Sequence, residues 1–187
     1  MPRYYGLNKM KYLIASDIHG SAFYCKEVLL AAENEKADKI ILLGDVYNHG
    51  PRNALPKDYA PMKVAELLNG VKERLIVIKG NCDSEVDAMI SEFDFLPGMC
   101  LALGNKLCFL THGHVYNIDH APKTKYDAVI YGHFHTGFIK EKDGVLYINA
   151  GSASIPKDNT KHSYLIADEK KITLKEIGGQ VIDQRFL

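Results

Sequence analysis

The chemistry-bearing residues of this sequence gather in five short clusters. Asp17 and His19 lie in "SDIHG", Asp45 in "LGDV", Asn81, Cys82 and Asp83 in "GNCD", His112 and His114 in "THGH", and His133 and His135 in "GHFH". Carboxylate, amide and imidazole groups together suit manganese, iron, zinc or similar divalent ions. Asp17, His19, Asp45, Asn81, His112, His133 and His135 make seven such groups. If one carboxylate bridges, they give four protein contacts to each of two ions. Asp45 is the natural bridge, because it follows a central-looking strand and a glycine that lets the backbone turn tightly. Two ions about 3.5–4 Å apart clamp the attacking and leaving oxygens of an in-line phosphoryl displacement and lower the pKa of a bridging water.

Taken singly, each cluster has an ordinary explanation. Asp-x-His reads as a turn with a surface histidine, Gly-Asp as a turn or helix cap, and Asn81 as a turn residue. A His-x-His pair on a strand points both rings to one face. The combination is harder to dismiss: of eight histidines, only His120 and His162 lie outside these clusters and the loop holding His49.

The elements that must position these residues alternate at first between strand and helix. Tyr12–Ala15 is an apolar strand. Ala22, Cys25, Val28, Leu29 and Ala32 follow helical spacing. Lys39–Leu43 is a second strand, apolar throughout and so covered on both faces. Pro61–Asn69 reads as a helix, with proline at its start and Gly70 past its end. Leu75–Ile78 is a third strand, and Glu85–Ile90 a short helix. Strands then follow at Lys106–Leu110, Ala128–Tyr131, Val145–Asn149, Ser163–Ala167 and Ile172–Ile177. Asp143-Gly144 joins Phe138–Lys140 to Val145 as a hairpin. Five strands thus end in the polar clusters, where α/β proteins place ligands. Residues 47–60 form the longest irregular stretch, and loops of that length are often functional.

The length, 187 residues, fits one domain with a sizeable core. Residues 1–9 read as a short N-terminal extension or the result of an alternative start. Lys+Arg and Asp+Glu balance at 23 each, which argues against a nucleic-acid or membrane footprint. The four cysteines form no C-x-x-C pair, so a thiolate zinc site is disfavoured and a reduced, cytoplasmic protein with free thiols is expected.

In their order, "SDIHG", "LGDV", "GNCD", "THGH" and "GHFH" resemble the signature of the calcineurin-like binuclear metallophosphoesterases. "NAGSASIPK" resembles the segment that closes the fold in small members. "GDVYNHGPRNALP" and "GNCDSEVD" are closer still to the YfcE-type bacterial phosphodiesterases. The resemblance implies an α/β fold of two packed mixed β-sheets flanked by helices. Carried over position by position, it implies one metal held by Asp17, His19, Asp45 and His135. The other is held by Asp45, Asn81, His112 and His133. It implies a phosphodiesterase that attacks small or activated diesters through metal-bound hydroxide, with two divalent ions, manganese first and iron, zinc or nickel as alternatives. The motifs do not separate diesterase from monoesterase. The alternative, a protein-binding scaffold like the retromer subunit of the same fold, is disfavoured by the intact ligand set. A homo-oligomer is a further expectation.

One departure stands out. Cys82 occupies the position where the family signature has histidine. A thiol carries no positive charge and donates only a weak hydrogen bond. Cys82 is therefore read as a substituted catalytic position, not as a nucleophile, and His114 or His49 as candidate proton donors. Arg52, in the long loop, is a candidate phosphate ligand. Asp83 is read either as an orienting partner for a ligand histidine or as a helix cap.

Overall fold

The computed structural model describes residues 10–187; the proposed extension at residues 1–9 lies outside the described residues. Its strands are β1 Tyr12–Ala15, β2 Lys39–Leu42, β3 Leu75–Ile78, β4 Phe95–Leu96, β5 Met99–Leu103 and β6 Lys106–Leu110. They continue as β7 Ala128–Tyr131, β8 Phe138–Lys142, β9 Val145–Asn149, β10 Ser163–Ala167, β11 Lys171–Glu176 and β12 Val181–Phe186. The α-helices are α1 Ala22–Asn34, α2 Pro61–Asn69 and α3 Glu85–Ala88.

A seven-stranded sheet runs β12-β11-β10-β1-β2-β3-β4, and a five-stranded sheet runs β5-β6-β7-β9-β8. β1 to β4 are mutually parallel, and β6, β7 and β9 are mutually parallel. This parallel arrangement sends the C-terminal ends of β1, β2 and β3 to one edge of the first sheet. It likewise gathers the ends of β6, β7 and β9 at one edge of the second.

Side-chain alternation sorts β1 and β2 into two cores. Leu13, Ala15, Ile40 and Leu42 face α1 and α2, where Val28, Ala32, Val64 and Leu68 meet them. Ile14, Ile41, Leu43 and Ile78 face the second sheet and pack with Cys108, Leu110, Ile130 and Ile148. Both faces of these strands are therefore covered, as their unbroken apolar runs require. Behind the second sheet a smaller cluster holds Val129, Tyr131 and Tyr147.

Several expectations shift in detail. β4, β5 and β12 were not anticipated. The middle position of the large sheet belongs to β1, with β2 beside it. The helix expected over 85–90 closes after Ala88, because Met89 N–H already bonds back to Val86. All four cysteines are free thiols. Among the described residues no helix is long and apolar enough to cross a membrane.

Candidate metal centre

The polar clusters converge where the two strand edges meet. His19 and His135, from different sheets, approach with Nε2 atoms 3.2 Å apart. Both rings have their other nitrogen committed. His19 Nδ1–H donates to the Asn48 carbonyl (2.6 Å), and His135 Nδ1–H donates to the Ile155 carbonyl (2.9 Å). A carbonyl oxygen can only accept, so in the neutral rings both Nε2 atoms carry lone pairs aimed at each other. Asp17 Oδ1 lies 3.5 Å from one Nε2 and 3.2 Å from the other, fully buried and without a hydrogen-bond partner. Three acceptors facing one another in a dry site call for a cation.

A second cluster adjoins the first. His112 Nδ1–H donates to the Leu43 carbonyl (2.7 Å), which turns Nε2 toward Asn81 Oδ1 at 3.0 Å and Asp45 Oδ2 at 3.4 Å. The same Asp45 Oδ2 lies 3.7 Å from His19 Nε2. Its other oxygen, Oδ1, accepts the Cys82 backbone N–H at 2.8 Å. One Asp45 oxygen is thus pinned and the other is left between the two clusters. The His133 ring stands 5.1 Å from that of His112. The donor atoms of Asp17, His19 and His135, and those of Asp17, Asp45 and His112, lie within 4.8 Å of one another.

The buried carboxylates and imidazoles of the centre shift one another strongly. Burial opposes a proton on His112, yet the Asp45 hydrogen bond and the Asp17 and Asp45 carboxylates raise its pKa to about 9. Burial, then the charge on His112, pushes His133 down to about 4. Burial would raise the Asp17 pKa, but the adjacent His135, His19 and His112 imidazoles hold it well below the usual carboxylate range.

The backbone is bent to make this arrangement. Asp17, His19, Asp45, His133 and His135 all adopt positive φ, between 49° and 63°. Non-glycine residues seldom do so, and such strain gathers at functional sites. The left-handed turn sets aside the one-face geometry that a His-x-His pair would have on a strand. His133 and His135 follow β7 rather than lie on it, and their rings point to different clusters, His133 toward His112 and His135 toward His19.

Support comes from residues without a place at the centre itself. Asp83 is buried and accepts three backbone N–H groups: Asp45 (2.8 Å), Val46 (2.8 Å) and Gly80 (2.7 Å). It therefore ties the end of β2 to the end of β3, which replaces both roles expected for it; Ser84 is the residue at the start of α3. Gly80 must be glycine, since a Cβ there would stand 2.2 Å from Asp45 Oδ1. Across the sheets, Ser152 and Ser154 hydroxyls donate to the Asp17 carbonyl at 2.8 and 2.9 Å. Asn149 Nδ2 donates to the Gly132 carbonyl at 2.7 Å. These three polar side chains in "NAGSASIPK" went unassigned in the sequence. Their position right after a buried strand was the available signal.

A model of the calcineurin-like phosphoesterase superfamily domain matches residues 10–171. The chain belongs to that family. Phosphodiesterase YfcE of Escherichia coli K12 is 41% identical over 175 residues, covering 92% of this chain and 95% of the relative. The solved structure of the E. coli phosphoesterase YfcE superposes with a TM-score of 0.89 at 39% identity, covering 94% of this chain and 98% of that one. Vacuolar protein sorting 29 from Cryptosporidium parvum shares the fold, with a TM-score of 0.63 at 17% identity over 96% of this chain and 98% of its own. The family and the buried Asp/His clusters fit divalent metal binding.

In this phosphoesterase Cys82 is half-buried beside the centre, its Sγ accepting from Asn81 Nδ2 at 3.3 Å. Burial, then the Asp45, Asp83 and Asp17 carboxylates, pushes the thiol up to about 12. Its Sγ and the donor atoms of His19 and Asp45 lie within 4.8 Å of one another. The open cleft over the centre encloses about 1110 Å³, with Asn48, Gly50 and Arg52 of the long loop on one side. His114 stands 5.4 Å from the His112 ring but lines a separate small cavity with Thr111, Val115 and Tyr116. His49 packs edge-on against Tyr59, 5.3 Å between rings, with Nδ1 buried and unpartnered.

Proposed function

We propose that this chain is a two-metal phosphodiesterase of small or activated diesters. Asp17, His19, Asp45 and His135 hold one ion, and Asp45, Asn81, His112 and His133 hold the other. The observation that carries the reading is the pair of imidazole lone pairs facing each other at 3.2 Å, with both Nδ1–H groups already spent on carbonyls. When bound, the metals supply Lewis-acid charge and a water of lowered pKa.

The protein supplies orientation. Carbonyl bonds fix three of the rings, and the Cys82 N–H keeps one Asp45 oxygen out of the way. Asp45 and Asn81 are assigned catalytic roles because they hold the reacting groups in register. Cys82, which lines the cleft, is assigned to the leaving-group side as a weak proton donor. His114 and His49 are the candidate donors, His114 reaching the leaving group only by turning out of its separate cavity. Manganese is the proposed metal, supported by three hard oxygen donors, Asp17, Asp45 and Asn81, beside four imidazoles and no thiolate in the set. A single domain over residues 1–187, a cytoplasmic location supported by four free thiols, and a homo-oligomer complete the proposal.

The test is hydrolysis of bis-p-nitrophenyl phosphate beside p-nitrophenyl phosphate, with and without Mn²⁺, and with Asp45→Asn as control. Mn-dependent diester cleavage that vanishes in Asp45→Asn is expected. Inactivity with every divalent metal tried would overturn the proposal.

A further inference from the structure

The cleft is far larger than a bare phosphodiester link requires. At about 1110 Å³ it slightly exceeds the usual range for small-molecule sites, about 300–1,000 Å³. Its wall is also chemically divided. On one side stand Ile118, Phe134 and Phe138, all partly buried and all packed from behind on the Val129–Tyr131–Tyr147 cluster. Phe134 meets the Tyr131 ring edge-on at 5.6 Å and 90°, and Phe138 meets it at 6.1 Å and 79°. Tyr131 is itself fully buried, and its hydroxyl accepts the Ile118 backbone N–H at 3.3 Å. Both phenylalanine rings are thus braced by a rigid third ring while part of each faces the cleft. A braced, half-exposed aromatic pair beside a phosphoryl site suits stacking of a planar group.

Cations line the same cleft. Arg52, Lys140 and Lys157 line the cleft, and none is ion-paired among the described residues. Lys140 Nζ lies 4.5 Å over the Phe138 ring. An exposed cation–π contact of this kind is weak, so an incoming planar ring can take its place and free the ammonium for a phosphate oxygen. Asp119 and Asp158 also line the cleft and offer acceptors to hydroxyl or amino groups.

We propose that Phe134, Phe138 and Ile118 form a nucleobase-stacking subsite, making the substrate a small nucleotide phosphodiester rather than an alkyl or polyol diester. This rests on the phosphodiesterase reading above. The balance of 23 basic and 23 acidic residues favours a mononucleotide or dinucleotide ester over the end of a long strand.

The test compares two diesters with one leaving group: the p-nitrophenyl ester of thymidine 5′-monophosphate and methyl p-nitrophenyl phosphate. Phe138→Leu keeps an apolar side chain against Tyr131 but removes the ring face. It should lower the ratio of kcat/KM values, nucleotide over methyl, about 5- to 20-fold, mainly through KM. An unchanged ratio overturns the subsite. Titration of thymidine 5′-monophosphate by calorimetry, in wild type and Phe138→Leu, reads the platform without turnover. Weakening of about 5-fold or more supports it, and equal affinity refutes it. If neither diester is cleaved, the phosphodiesterase reading falls while the calorimetry still judges the platform. Competition separates the two sources of a base. A long oligothymidylate should compete no better per molecule than thymidylyl-thymidine, and a clear advantage for the long strand would refute the small-substrate assignment.

Discussion

Removal of the Asp83 carboxylate isolates the cost of holding the centre together from the cost of binding metal. Its oxygens accept three backbone N–H groups, at 2.8, 2.8 and 2.7 Å, from Asp45, Val46 and Gly80. Hydrogen bonds to a charged acceptor contribute about 1.5–3 kcal/mol each, so three set an upper bound of about 4.5–9 kcal/mol. Water entering the vacated space and relaxation of the strand ends reduce this, and Asp83→Ala should cost about 3–5 kcal/mol. Asp83→Asn keeps one acceptor oxygen, which can serve the Asp45 and Gly80 N–H groups that share Oδ2. It turns an amide N–H₂ toward Val46 N–H, and should cost about half as much. The assay is guanidinium unfolding of metal-depleted protein, followed by calorimetric titration with Mn²⁺. The second measurement should show affinity about 10- to 100-fold weaker in Asp83→Ala, because Asp45 is no longer fixed. Loss of under about 1 kcal/mol with unchanged Mn²⁺ affinity would refute the claim that Asp83 ties β2 to β3.

Three other outcomes are expected. Cys82→His should raise turnover of diesters with poor leaving groups, up to about 10²-fold, and change bis-p-nitrophenyl phosphate cleavage far less; equal effects on both would contradict the account of Cys82. Chelation should lower the melting temperature and Mn²⁺ restore it in a concentration-dependent way, since an ion held by residues from both sheets binds only the folded chain; a melting temperature indifferent to Mn²⁺ would count against the site. Gly80→Ala, with its Cβ 2.2 Å from Asp45 Oδ1, should lose Mn²⁺ binding by calorimetry while far-UV circular dichroism stays near wild type.

Much of the fold could be read from residue types, for a physical reason. β1, β2, β3 and β7 are covered on both faces, so their apolar runs announce them. β12 is exposed at every position, from Val181 to Phe186, and leaves no such trace. β5 alternates in burial from Cys100 to Leu103 and was open to detection through the turn at Gly104. The seven expected ligands do come together, because each follows a strand whose end lies at one edge. Which ring faces which cluster could be taken only from the family resemblance and not from spacing, since it depends on left-handed backbone at His133 and His135. The part played by Asp83 was equally hidden, because it exists only once β2 and β3 pair in register.

The proposed ligands span residues 17 to 135, and the hydroxyls that hold the Asp17 carbonyl come later still, at Ser152 and Ser154. No contiguous stretch of this chain carries a complete set of donors for either ion. A nascent polypeptide leaving the ribosome therefore has nowhere to hold metal tightly until both sheets have been synthesised and docked. On the proposed ligand sets, loading would follow synthesis, and the cation acquired would be the one available to the finished protein rather than to its fragments.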